Sequence, residues 1–153
     1  MPIQKLKQFL DRERVKYVII THSPAFTAQE IASAAHVPGK ELAKTVVVHL
    51  NGKTALAVLP ANQKVILEDL REAAGVDQAR FATEDEFKRL FPDCETGAMP
   101  PLGNLYGIDV YAATTLAKDK EIAFNAGSHT ELIKMAYEDF ARLAKPKLAS
   151  FTT

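Results

Sequence analysis

Three short stretches of this chain combine residue types that can act on a carbonyl. They are Gly97-Ala98-Met99-Pro100-Pro101-Leu102-Gly103, Lys44 within Leu42-Ala43-Lys44-Thr45-Val46-Val47-Val48, and His129 within Asn125-Ala126-Gly127-Ser128-His129. The first reads as a loop. Its adjacent prolines fix φ and lack backbone donors, so it is stiff. The amides of Gly97, Ala98 and Met99 are then the donors it can offer before Leu102. A rigid rim of N–H groups suits a polarised carbonyl or an oxyanion without help from any side chain. Gly97 would allow close backbone approach, with Pro100 and Pro101 completing an acyl-binding wall. A plain turn between a helix and a strand would account for the same residues.

Lys44 heads an otherwise apolar strand, where the chain enters the sheet. It is either a strand-end lysine turned to water or a point charge for a phosphate or a polarised ester carbonyl. His129 is either a cap on local backbone or a residue that orients substrate or water. Other chemistries lack their residues. There is no G-x-S-x-G nucleophile elbow, and the single Cys94 sits in Phe91-Pro92-Asp93-Cys94 with no histidine near it in sequence. His22, His36 and His49 have no carboxylate or cysteine at metal-ligand spacing, and His49 is expected to be exposed on a hairpin. Gly103-Asn104-Leu105-Tyr106-Gly107 lacks the glycine spacing of a dinucleotide fingerprint. Neither a metal nor a cofactor is expected.

The elements that must position these residues follow from local patterns. Leu6, Phe9 and Leu10 recur at helical spacing, which predicts an amphipathic helix over residues 3–14. Residues 15–21 are β-branched and aromatic, a strand. Thr27 and Glu30 form a capping box ahead of a helix from Ile31 to Ala35, ended by Val37-Pro38-Gly39. Residues 45–50 and 54–59 are apolar runs joined by Asn51-Gly52-Lys53, a hairpin. A helix over 67–74 stops at Gly75, a short strand covers 79–81, and Thr83 with Glu86 caps an acidic helix to Leu90. Residues 107–112 and 121–125 read as strands. Beyond Asn125 the pattern is ambiguous: Ser128 and Glu131 form a capping box that argues for one helix from His129 to Leu143.

The 153 residues suit one domain with a real core. With 47% apolar and 25% charged residues, the balance is that of a soluble globular protein. No apolar run approaches the roughly 20 residues of a membrane span, and no signal-peptide core opens the chain, so the cytoplasm is the expected compartment. Lys plus Arg and Asp plus Glu each number 19, which argues against a generally basic nucleic-acid binder. Charge is uneven, however: residues 1–53 hold eight basic and four acidic residues, and residues 65–95 hold four and nine. That asymmetry fits a local footprint for an RNA end, or simply two solvated faces of opposite sign.

In this order and at these separations, the three stretches resemble the YbaK and prolyl-tRNA synthetase-associated editing domain family, whose members hydrolyse tRNAs charged with the wrong amino acid. The resemblance runs from His22-Ser23-Pro24 through Thr27-Ala28-Gln29-Glu30 to Tyr137-Glu138-Asp139-Phe140. It implies a single domain over 1–153 of α/β (α+β) class, a curved mixed sheet or partly closed barrel of about six or seven strands with flanking helices. It also implies a short strand over 132–135 and a helix from Tyr137 instead of one long helix.

Lys44 matches the family's essential lysine, and Gly97 to Pro101 match its G-x-x-x-P loop. Gly127 and His129 match a G-x-H element of the bacterial prolyl-tRNA synthetase editing domain and some free-standing relatives; YbaK itself has no histidine there. The region around His22 lines the family's pocket, so Phe26 and Thr27 are candidates for its wall. In this family the neighbouring ribose hydroxyl is thought to assist attack, which removes the need for a protein nucleophile.

The implied function is a trans-editing hydrolase acting on the ester of a mischarged tRNA that carries a small amino acid, such as alanine, serine, cysteine or threonine. One methylene is worth only about 1–3 kcal/mol in a synthetase pocket, so such editing has a chemical purpose. The implied partners are the tRNA acceptor end and, as a further expectation, an aminoacyl-tRNA synthetase. A non-catalytic module that binds tRNA or a synthetase is the alternative. A DNA binder is disfavoured by the zero net charge and the lack of a recognition helix.

Overall fold

Asn51 and Gly52 both take positive φ, 52° and 80°, the geometry of the tight primed turns that match strand twist. They join strands β2 (Leu42–Leu50) and β3 (Lys53–Pro60), paired antiparallel from Leu50↔Lys53 back to Ala43↔Pro60. A computed structural model describes residues 3–153 and builds the rest of the fold around this hairpin. The other strands are β1 (Tyr17–Thr21), β4 (Ala79–Phe81), β5 (Asp109–Ala113), β6 (Glu121–Ser128), β7 (Glu131–Ala136) and β8 (Lys147–Ala149). The helices are α1 (Gln4–Arg12), α2 (Ala28–Ala35), α3 (Leu67–Ala74), α4 (Glu84–Leu90) and α5 (Tyr137–Ala144).

The eight strands form one mixed sheet in the order β1-β7-β6-β2-β3-β5-β8, with β4 paired to β2. The β2–β6, β3–β5 and β5–β8 pairs are parallel, and the remaining pairs are antiparallel. β2 and β3 are buried on both faces, which explains why they read as continuous apolar runs. Ala43, Val47, Leu56 and Val58 pack on one side with Leu6, Leu10, Phe140 and Phe124. Val48, Leu50, Ala57 and Leu59 pack on the other with Leu70 and Phe151. Each buried Val, Leu or Phe among them contributes about 1.5–3 kcal/mol relative to exposure. A third cluster joins Ala25 and Ile31, before and within α2, to Leu42, Ala61, Ala123 and Leu132. No helix among the described residues is long and apolar enough to cross a membrane.

Both capping boxes form. Thr27 accepts from the Glu30 amide while the Glu30 carboxylate accepts from the Thr27 amide, and Thr83 and Glu86 do the same. The Ser128–Glu131 pair does not start a helix. It closes the tight β6–β7 turn, with the Ser128 hydroxyl donating to Glu131 Oε1 at 3.4 Å. Burial decides between the two readings: Leu132, Ile133 and Met135 reach both faces of the sheet as strand residues and are essentially inaccessible. β8 was not expected from the sequence, and neither was the burial of His49. That side chain is covered because β4 lies alongside β2, with His49 opposite Arg80 and its Nε2 3.1 Å from a Glu86 carboxylate oxygen.

One irregularity of the sheet creates an opening. β2 pairs with β6 only at Leu42↔Ala123 and Ala43↔Phe124, and with β4 only from Val48 to Leu50. On that side Lys44, Thr45 and Val46 border a gap between β6 and β4.

Candidate functional site

Lys44 stands at the start of this gap. It is the third residue of β2, not the first: Leu42 and Ala43 precede it because they ladder with β6. Its ammonium donates to the Ala61 carbonyl at 3.4 Å and has no carboxylate within ion-pair distance among the described residues. Half-burial, and secondarily the charge of Lys64, lower its pKa from the ordinary 10.5. An ammonium in this state, partly desolvated and not neutralised, gains by accepting an anion or a polarised oxygen.

The loop after α4 reaches the gap from the opposite side. Glu95 N–H donates to the Gly127 carbonyl at 2.8 Å, and Gly127 N–H donates to the Ala98 carbonyl at 3.0 Å. Gly127 has φ +97°, and a Cβ there would lie 2.4 Å from Ile3 Cγ2, so no larger residue fits without movement. Gly127 therefore docks the loop with its backbone. The rim of three amides also needs correction. The Ala98 amide donates to the Glu95 carbonyl at 3.0 Å, closing a turn, and is not available to a ligand. The Gly97 and Met99 amides have no partner among the described residues. Gly97 is exposed with φ +85°, whereas Ala98, Met99, Pro100 and Pro101 are buried, Met99 within the main core. The prolines thus anchor and stiffen the loop from beneath, and Gly97 is the part that solvent reaches.

His129 occupies the β6–β7 turn beside this loop. Its Nε2 lies 2.7 Å from the Thr96 carbonyl. A carbonyl only accepts, so Nε2 carries the proton and the neutral ring presents a lone pair at Nδ1. Nδ1 is buried and unpartnered among the described residues. The Phe26 ring packs on the imidazole, centroids 4.9 Å apart at 52°, while remaining 70% exposed. Gly97 faces the same ring: a Cβ built on it would lie 3.8 Å from His129 Cε1. The Ala25 amide donates to the His129 carbonyl at 3.3 Å, which holds the Phe26 segment against the turn. Thr27 follows in that segment, with its hydroxyl oxygen accepting the α2 cap bond.

The tertiary structure therefore gathers Phe26, Gly97, Gly127 and His129 into one cluster. Lys44 stands on the neighbouring strand at the same end of the sheet, because β2 and β6 run parallel toward the gap. For His129, one ring nitrogen caps backbone, and the other has no partner among the described residues. Thr96, whose carbonyl sets the histidine tautomer, carries no signal in the sequence. Asn125 does carry one, as a polar residue inside the apolar run Ile122 to Ala126, and its Oδ1 is buried without a partner among the described residues.

Cys94 is half-buried with its thiol near the Tyr106 hydroxyl and the Asp93 carboxylate, and burial pushes its pKa up to about 11. Among the described residues, no group of three His, Cys, Asp or Glu side chains is arranged to hold a metal. A cleft of about 450 Å³ opens elsewhere, lined by His49, Asn51, Arg71 and Arg80 among others. Its arginines are already paired, Arg71 with Glu68 and Arg80 with Glu86.

The family description "aminoacyl-tRNA editing domain" matches residues 22–143. The chain is 28% identical over 153 residues to the multifunctional Ser/Thr-tRNA deacylase ProXp-y of Escherichia coli K12, covering 97% of this chain and 91% of that protein. It is 24% identical over 144 residues to the prolyl-tRNA editing protein ProX of Acetoanaerobium sticklandii, covering 89% and 86%. Among solved structures, one described as a candidate trans-editing enzyme for prolyl-tRNA synthetase superposes with TM-score 0.84 at 18% identity, covering 99% of this chain and 96% of that one. At that identity the likeness shows a shared fold.

Proposed function

Because the chain belongs to the aminoacyl-tRNA editing domain family, we propose that it is a trans-editing hydrolase that cleaves the ester of mischarged tRNA carrying a small amino acid. The observation that carries this reading is the meeting, at one end of the sheet, of the unpaired Gly97 amide, the lone-pair nitrogen of His129 and the exposed ring of Phe26. The names of its relatives, a Ser/Thr-tRNA deacylase and a prolyl-tRNA editing protein, support the same substrate class. The cytoplasm, where charged tRNA is made and used, is the proposed place of action.

Ester hydrolysis needs a placed water, donors for the charge that develops on the carbonyl oxygen, and a fixed substrate. In this scheme the Gly97 and Met99 amides are the oxyanion donors, and Lys44 holds the terminal phosphate or the ester carbonyl as a point charge. Phe26 offers its open face to the terminal base, since every base has a π-face to stack. His129 Nδ1 accepts a hydrogen bond from the attacking water or from the substrate's amino group. The ribose hydroxyl next to the ester assists the attack, so no protein nucleophile enters.

The test is release of free amino acid from a panel of mischarged tRNAs by the protein alone, with Lys44→Ala as control. Turnover by the wild type and its loss in the variant would support the reading. Binding of charged tRNA with no release would identify a non-catalytic module instead.

A further inference from the structure

The register between β2 and β6 determines which side chains share the pocket face. Leu42 stands opposite Ala123, and both pack under α2 with Ala25, Ile31, Ala61 and Leu132. Ala43 stands opposite Phe124, and both point to the other core. Side chains alternate along a strand, and neighbouring strands lie about 4.8 Å apart. The next residue in each strand, Lys44 and Asn125, therefore returns to the α2 face, side by side where the strands begin to part.

The Asn125 carboxamide makes no hydrogen bond among the described residues, and its oxygen is buried. Proteins keep few buried polar atoms unpaired, and a ligand is one reason to keep one. The residue as a whole is only half-buried, and rotation about χ2 exchanges its oxygen and nitrogen, so either end can turn toward a bound group.

We propose that Asn125 is the specificity-determining residue of the editing site and that its carboxamide binds the side-chain hydroxyl of a serine or threonine ester. This rests on the reading of the chain as an aminoacyl-tRNA hydrolase and narrows its substrate class. A hydroxyl both donates and accepts, matching the two ends of a carboxamide. The alternative occupant, the substrate's α-ammonium, is disfavoured because the neighbouring Lys44 ammonium has no carboxylate to neutralise it. The cluster on the same face of the sheet, Ala25, Ala61, Ala123 and Leu132 among it, consists of small or apolar residues. A site built to hydrogen-bond a hydroxyl discriminates strongly against analogues without one, because its own polar group is then left unpaired.

The experiment charges one tRNA separately with serine, threonine, alanine and 2-aminobutyrate, the last being serine's isostere with a methyl in place of the hydroxyl. Deacylation kcat/KM is compared for the wild type, Asn125→Ala and the isosteric Asn125→Leu, which keeps the space filled if the alanine variant folds poorly. The expected result is a loss of about 10- to 100-fold on the serine and threonine esters, with the alanine and 2-aminobutyrate esters changed less than about threefold. Equal losses on all four esters, or no loss on any, would overturn the proposal. If the wild type releases no amino acid from any ester, the hydrolase reading itself fails, before a variant is made.

Discussion

The imidazole of His129 is fastened to the backbone of Thr96: Nε2–H donates to the Thr96 carbonyl at 2.7 Å, across the junction between the β6–β7 turn and the loop that leads into Gly97. The bond sets the tautomer, which leaves a lone pair on the buried Nδ1. It also couples the placement of the histidine to that of the Gly97 amide, so a displacement of either should move both.

His129→Ala should lower kcat/KM by about 10- to 100-fold, the scale of one lost hydrogen bond to a charged or developing-charge group. Loss of the bond to Thr96 should also reduce stability by about 1 kcal/mol. Turnover per folded molecule and urea midpoint, measured on one preparation, separate the two effects. A destabilised variant with full turnover would mean that the ring only fastens the loop.

Lys44→Ala should abolish deacylation with a wild-type circular dichroism spectrum, and the wild type should lose activity at alkaline pH as the ammonium deprotonates. Burial lowers the Lys44 pKa below its ordinary 10.5, so this alkaline limb begins earlier than for a free lysine. The linked effect on stability has the opposite sign. Between the folded and unfolded pKa values the unfolded chain binds more protons, so this residue's contribution to stability rises with pH across that window. Lys44→Met should remove that rise from a pH series of urea midpoints.

Gly127→Ala should cost about 1–3 kcal/mol, from strain at positive φ and from crowding against Ile3. The φ of +97° and the 2.4 Å approach to Ile3 Cγ2 are the reasons. Since Gly127 docks the Gly97 loop, activity should fall along with the melting temperature. In an Ile3→Ala background the steric part of the penalty should disappear and the φ part should remain. Equal penalties in the two backgrounds would assign the whole cost to backbone strain.

Activity should be indifferent to EDTA and to Cys94→Ser. The Cys94 thiol, pushed up to about 11, stays protonated at neutral pH and lies outside the site cluster. The critical substrate is a tRNA ending in 2′-deoxyadenosine and charged on the 3′ hydroxyl. Hydrolysis should be suppressed on it even with the protein intact. Full activity there would transfer the proton-handling role to a protein base, with His129 the first to test, and inhibition by EDTA would point to a metal site.

Much of the architecture was already determined by near neighbours in the sequence. Asn51-Gly52 makes its turn, and Thr27 with Glu30 and Thr83 with Glu86 make their caps, because each needs only residues within a turn of one another. The same local logic suggested a helix at Ser128 and Glu131, where burial of Leu132, Ile133 and Met135 in the sheet outweighs the cap. Lys44, Gly97 and His129 could be named from residue type and from the spacing that carries the family resemblance. What each can do depended on partners far away in the chain. Gly127 holds the Gly97 loop through Glu95 and Ala98, Thr96 sets the His129 tautomer, and the pairing of Leu42 with Ala123 puts Asn125 beside Lys44. The face a strand residue presents, and whether a backbone donor is free, are properties of the pairing of segments, and only the folded chain decides that pairing.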